Sequence, residues 1–148
     1  MFRHTRFLSR VEAEAHPGHA DGVIVSVIDP GSPPPRLGAH WRDVMRLEFF
    51  DADDTIAAEI EREGLRVCQP DDARRILAFI ERWHAEPDGP VELVTHCEQG
   101  ISRSAAVARF AALRHGLAYR WAHPHYNDRV LRLLQEAADD RDRAASDR

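Results

Sequence analysis

The stretch Val91-Glu92-Leu93-Val94-Thr95-His96-Cys97-Glu98-Gln99-Gly100-Ile101-Ser102-Arg103-Ser104 decides the architecture. Val91 to Thr95 reads as a short buried strand, His96 to Ser102 as a loop turning on Gly100, and Arg103 to His115 as an alanine-rich helix stopped at Gly116. Upstream, Pro87-Asp88-Gly89-Pro90 is a turn, and Pro70-Asp71-Asp72 opens a helix whose apolar stripe is Ala73, Ile76, Leu77, Ile80 and Trp83 or His84. Asp71 or Asp72 is placed to cap its first turn. Farther out lie a helix within Thr55 to Gly64, a strand over Val44 to Phe50 running into Asp51-Ala52-Asp53-Asp54, and the β-branched strand Gly22 to Ile28. Ser32-Pro33-Pro34-Pro35 is confined to a surface loop. Downstream, a last helix starts near His125-Tyr126-Asn127 and buries Val130, Leu131, Leu133, Leu134 and Ala137. Strands alternating with helices predict an α/β domain over 1–138, with a central, mostly parallel sheet flanked by helices. Residues 139–148 carry no apolar periodicity and read as a frayed, solvated C-terminal tail.

Composition narrows the function classes. The chain has 148 residues, 43% of them hydrophobic and 30% charged, which suits one globular domain. No apolar run is long enough to span a bilayer, and Met1-Phe2-Arg3-His4-Thr5-Arg6 lacks a signal-peptide core, so no membrane association is expected and the mature chain is read as beginning there. A net charge of −5 argues against a nucleic-acid partner. All 20 basic residues are arginine, which rules out Schiff-base or Walker-type lysine chemistry and leaves anion binding by a charged side chain to Arg, or to a protonated His. The two cysteines, Cys68 and Cys97, are too few for a disulfide scaffold and point to a reducing, cytoplasmic setting. His123 and His125 have no ligand partner at metal spacing, so neither metal nor cofactor is expected.

The loop after the third strand gathers the chemistry. Successive amides around such a turn form an anion nest, and the following helix adds its positive end. A thiol in that field favours its ionised form. Arg103, with five residues between it and Cys97, brings a planar fork able to take two oxygens of a tetrahedral anion. Nucleophile, cradle and clamp fall within one short loop.

His96-Cys97-x-x-Gly100-x-Ser102-Arg103-Ser104 resembles the signature loop of the cysteine-dependent protein tyrosine and dual-specificity phosphatases, most closely their small bacterial tyrosine phosphatase-like members. More loosely, the likeness extends over about Val23 to Leu134. The resemblance implies that Cys97 attacks phosphorus to form a phosphocysteine intermediate. Amides of Glu98, Gln99, Gly100, Ile101, Ser102 and Arg103, with the Arg103 side chain, would hold the phosphoryl oxygens. Ser104 would assist departure of the sulfur, and His96 would shape the loop and keep the thiolate stabilised. Family members draw a general acid from a separate loop, often about thirty residues before the cysteine, where this chain offers Glu63, Cys68, Asp71 and Asp72, none ending a strand. Asp51 is favoured instead because it directly follows a strand, an insertion of about a dozen residues accounting for the spacing; Asp53, Asp54 and Asp72 stay open. The implied substrate is a phosphorylated protein or a small phosphomonoester, and tyrosine-only or dual specificity depends on pocket depth. The alternatives are a phosphate-binding module without turnover and a thiol-based arsenate reductase-like enzyme, for which Cys68 is the available resolving thiol. Cys68 could also protect Cys97 as a disulfide. Trp41 reads as a core or groove aromatic.

Overall fold

The computed structural model describes residues 1–119 and 125–148. In chain order the elements are β1 (His4–Leu8), α1 (Arg10–Ala15), β2 (Gly22–Ile28), β3 (Asp43–Glu48), α2 (Ala57–Arg62), α3 (Pro70–Ala85), β4 (Glu92–His96), α4 (Arg103–His115), β5 (Ala118–Tyr119) and α5 (Asp128–Ser146). They form the expected α/β domain around a five-stranded sheet of order β3-β2-β4-β1-β5, parallel at every pairing. Such a sheet needs cover on both faces. Val23, Val25, Val27, Leu47 and Leu93 pack with Ile76 and Ile80 of α3, Phe110 of α4 and Leu134 of α5. The opposite face is a smaller core of Leu8, Ala13, Ile24, Trp41 and Val94. Trp41 is therefore a core residue, stacked on His16 at 4.9 Å between ring centres. No helix among the described residues is long and apolar enough to cross a membrane.

The strand order positions everything that follows. β4 lies in the middle, between β2 and β1, so the loop leaving its carboxyl end is flanked by the chain leaving β2 and the chain leaving β1. In open α/β sheets that crevice is where ligands bind.

α3 matches the expected stripe: Ala73, Ile76, Leu77 and Ile80 are buried. Its capping box joins Gln69 and Asp72, and the buried Asp72 carboxylate also takes the Arg66 guanidinium at 2.5 Å. α4 ends as read, with Gly116 in the left-handed conformation at φ 64°. Two strands have no counterpart in the sequence reading. β1 is His4-Thr5-Arg6-Phe7-Leu8, with no apolar run to mark it, and becomes a strand because it pairs on both sides, with β4 and β5. β5 is two residues long.

The tail reading needs correction. Residues 139–146 are exposed but helical, continuing α5. Arg114 grips Asp142 with two guanidinium nitrogens at 2.9 and 3.1 Å, and Arg143 pairs with Asp140 one turn away. Charge pairing rather than apolar burial carries this end of the helix.

Candidate active site

Gly100 turns the signature loop at φ 71°, and a Cβ there would lie 2.4 Å from the Ser9 amide nitrogen. Only glycine lets this loop fold tightly against the end of β1. Arg10 holds the near side of the loop. The Arg10 amide donates to the Glu98 carbonyl at 3.1 Å, and the Arg10 guanidinium reaches the Glu98 carboxylate at 3.2 Å and the Ser32 hydroxyl at 3.2 Å.

The amides of Glu98, Gln99, Gly100, Ile101, Ser102 and Arg103 have no acceptor among the described residues. Ser102 occupies the position before α4 but does not cap it; its hydroxyl donates to Asp51 at 2.8 Å instead. The first turn of α4 contains no acidic residue. A run of open N–H groups leading into an unneutralised helix start is an anion cradle.

Cys97 is 1% exposed and packs against the main core, yet its sulfur is not enclosed by hydrocarbon alone, because Ser104 Oγ lies 3.1 Å from Sγ. Ser104 is fixed through its own carbonyl, which accepts from Thr95 Oγ1 at 2.8 Å. Arg103 is equally buried, its side chain 5% exposed. One terminal nitrogen donates to Asp29 Oδ1 at 2.7 Å and to the Phe49 carbonyl at 2.7 Å, while Nε is buried without any partner. Leaving a buried guanidinium N–H unmade is costly unless a ligand completes it. The edge of the fork carrying Nε is thus available for an oxyanion, and the far corner is anchored.

His96 is wholly buried, with Nε2 2.6 Å from Ser26 Oγ and Nδ1 3.4 Å from the Cys97 carbonyl oxygen. Burial pushes its pKa below the ordinary imidazole value. Burial thus favours the neutral ring, and His96 joins the end of β4 to Ser26 of β2 where the loop begins. Burial likewise depresses His84 and His16. For such groups the unfolded chain takes up protons first as pH falls, so folding free energy is fully retained above the ordinary imidazole value of about 6.5 and declines below it. The thermal midpoint is expected to fall between about pH 6.5 and about pH 5, before the carboxylates titrate. A midpoint that holds or rises across that interval contradicts this assignment.

Of the acidic cluster, only Asp51 meets the signature loop. Its Oδ1 accepts from Ser102 Oγ at 2.8 Å and from Asn127 Nδ2 at 2.7 Å. Asp53 is turned to the hydroxyl and amide of Thr55, which hold its pKa down. Asp54 is bound by Arg132 and Arg129, and the Arg132 hydrogen bonds above all hold it at about 2. Asp72 is buried at the start of α3 against Arg66. The long spacing between Asp51 and Cys97 is taken up by α2 and its small core of Ala52, Ala57 and Val67, closed by the bridge Phe50–Val67.

Cys68 is buried, and desolvation, with Asp72 adding to it, pushes its thiol up to about 12. Both cysteines are free thiols. A thiol held so firmly in its protonated form is a poor resolving nucleophile. His123 lies outside the described residues, and among the described residues no group of three or more His, Cys, Asp or Glu is placed to hold a metal ion. Asp29 and Ser26 are residues of this site that the sequence reading assigned no such part; His125-Tyr126-Asn127 was expected to cap the last helix and pack behind the loop, and Asn127 does both, accepting from the Val130 amide at 3.0 Å and donating its own amide to the Ser102 carbonyl at 3.1 Å.

Comparison of the chain with protein-family models, with curated protein sequences and with solved structures returns no match.

Proposed function

We propose that the protein is a cysteine-dependent phosphomonoester hydrolase of the tyrosine or dual-specificity phosphatase type. The observation that carries this reading is the buried Arg103 guanidinium, anchored at one nitrogen and unpartnered at Nε, at the end of a run of open amides that begins beside Cys97. An oxyanion is the ligand that satisfies both sets of donors at once.

In the first step the Cys97 thiolate attacks phosphorus, an S–P bond forms, and the P–O bond to the leaving group breaks. Asp51 gives its proton to the departing oxygen. In the second step Asp51 takes a proton from water as that water attacks phosphorus. The S–P bond then breaks to return the thiolate, which the Ser104 hydroxyl receives at hydrogen-bond distance, and inorganic phosphate leaves. The Arg103 fork and the amides hold the non-bridging oxygens through both steps.

A phosphate-binding module without turnover would share the cradle but lack a placed acid. The Asp51–Ser102 hydrogen bond favours the hydrolase over that alternative. The arsenate reductase-like reading is weakened by the state of Cys68.

The test is hydrolysis of a small aryl phosphate, with inorganic phosphate as a competitive inhibitor and EDTA present throughout. Turnover that EDTA leaves unchanged is expected. Phosphate binding with no detectable hydrolysis at any pH from about 5 to about 8 would select the binding module instead.

A further inference from the structure

Asn127 is buried at the start of α5 and uses every polar group it has. Its Oδ1 caps the helix by accepting from the Val130 amide at 3.0 Å, and its own amide donates to the Ser102 carbonyl at 3.1 Å. Its Nδ2 donates to Asp51 Oδ1 at 2.7 Å and to the Ala52 carbonyl at 3.1 Å. One residue thereby ties together the last helix, the signature loop and the acid loop, its side chain joining the helix to the acid loop and its backbone amide reaching the signature loop. For the helix cap alone, Asp, Ser or Thr would serve as well. The two bonds to the acid loop require a donor, which among these capping residues only asparagine supplies as an N–H group while still offering an acceptor to the helix.

The consequence falls on Asp51. Ser102 and Asn127 both donate to Oδ1, and among the described residues no donor reaches Oδ2. A carbonyl-type oxygen accepts two hydrogen bonds whether the acid is protonated or ionised. Both contacts therefore persist through a cycle in which Oδ2 alone gains and loses the proton. We propose that Asn127 is a positioning residue for Asp51, orienting its carboxyl group with Ser102 so that Oδ2 is the oxygen that delivers the proton to the leaving group. This rests on the hydrolase reading above.

The experiment compares kcat/KM for two esters, phenyl phosphate, whose phenoxide leaves poorly and needs the acid, and dinitrophenyl phosphate, whose phenoxide leaves without it. Asn127→Asp keeps the cap but replaces the Asp51-facing donor with an acceptor. It is expected to lower kcat/KM on phenyl phosphate by about 30-fold while changing that on dinitrophenyl phosphate less than about threefold. In an Asp51→Asn background the same substitution is expected to cost nothing further on phenyl phosphate. Ser102→Ala, which leaves the α5 cap intact, is expected to give the same ester-dependent split and serves if Asn127→Asp folds poorly. Equal losses on both esters, or full additivity with Asp51→Asn, would overturn the proposal and leave Asn127 a structural residue. Wild-type protein that turns over neither ester would overturn the hydrolase reading itself.

Discussion

Cys97→Ser is expected to abolish turnover of an aryl phosphate, lowering kcat by about ten-thousand-fold or more. A serine hydroxyl is far harder to ionise than a thiol, and the open amides and helix start cannot close that gap. The fold should tolerate the change. The new hydroxyl would sit within reach of Ser104 Oγ, now 3.1 Å from the sulfur, so the buried polar atom finds a partner. Binding of inorganic phosphate should survive, because the cradle and Arg103 are untouched and no thiolate repels the anion. Thermal-shift titration with phosphate, run beside the activity assay, separates these outcomes. A variant that still hydrolyses the ester places the nucleophile elsewhere.

Arg103→Lys is expected to lower kcat/KM by about a thousand-fold, although the charge is kept. The guanidinium is held by one nitrogen to Asp29 Oδ1 and the Phe49 carbonyl, both at 2.7 Å, which leaves Nε free for the ligand. A lysine ammonium is a single point with three protons. Asp29 and Phe49 would capture it, fix it at the anchored corner, and leave at most one proton for the oxyanion. For the same reason stability should change little, which a urea titration checks. Turnover within about tenfold of wild type would remove the two-pronged clamp from the mechanism.

Near-neighbour pattern was enough to read the elements that bury a face on a regular period. β2 and β4 are buried along their whole length, and α3 repeats its apolar residues at helical spacing. Cys97, Gly100, Ser102, Arg103 and Ser104 could be read together because one loop carries them all, so their spacing along the chain is their arrangement in space. Asp51 was favoured over Asp53, Asp54 and Asp72 because it directly follows the segment Val44 to Phe50, and β3, parallel to β2 as β4 is, ends on the same side of the sheet as β4.

The partners of those residues carry no such mark. Asp29 reaches Arg103 across 74 positions, Ser26 reaches His96 across 70, and Asn127 reaches Asp51 across 76. Nothing in an Asp-Pro-Gly turn or a helix-capping asparagine announces such a contact. Each arises because a parallel sheet brings the carboxyl ends of its strands to one edge, and the order β3-β2-β4-β1-β5 sets β4 between β2 and β1. β1 itself became a strand by the same route, through neighbours on both sides rather than through apolar residues of its own. Local composition settled which segments bury a face and which loop holds the thiol. The side chains that anchor Arg103, bond His96 and meet Asp51 were chosen by strand order, because hydrogen bonds depend on distance in space and the chain crosses that distance only when the sheet closes.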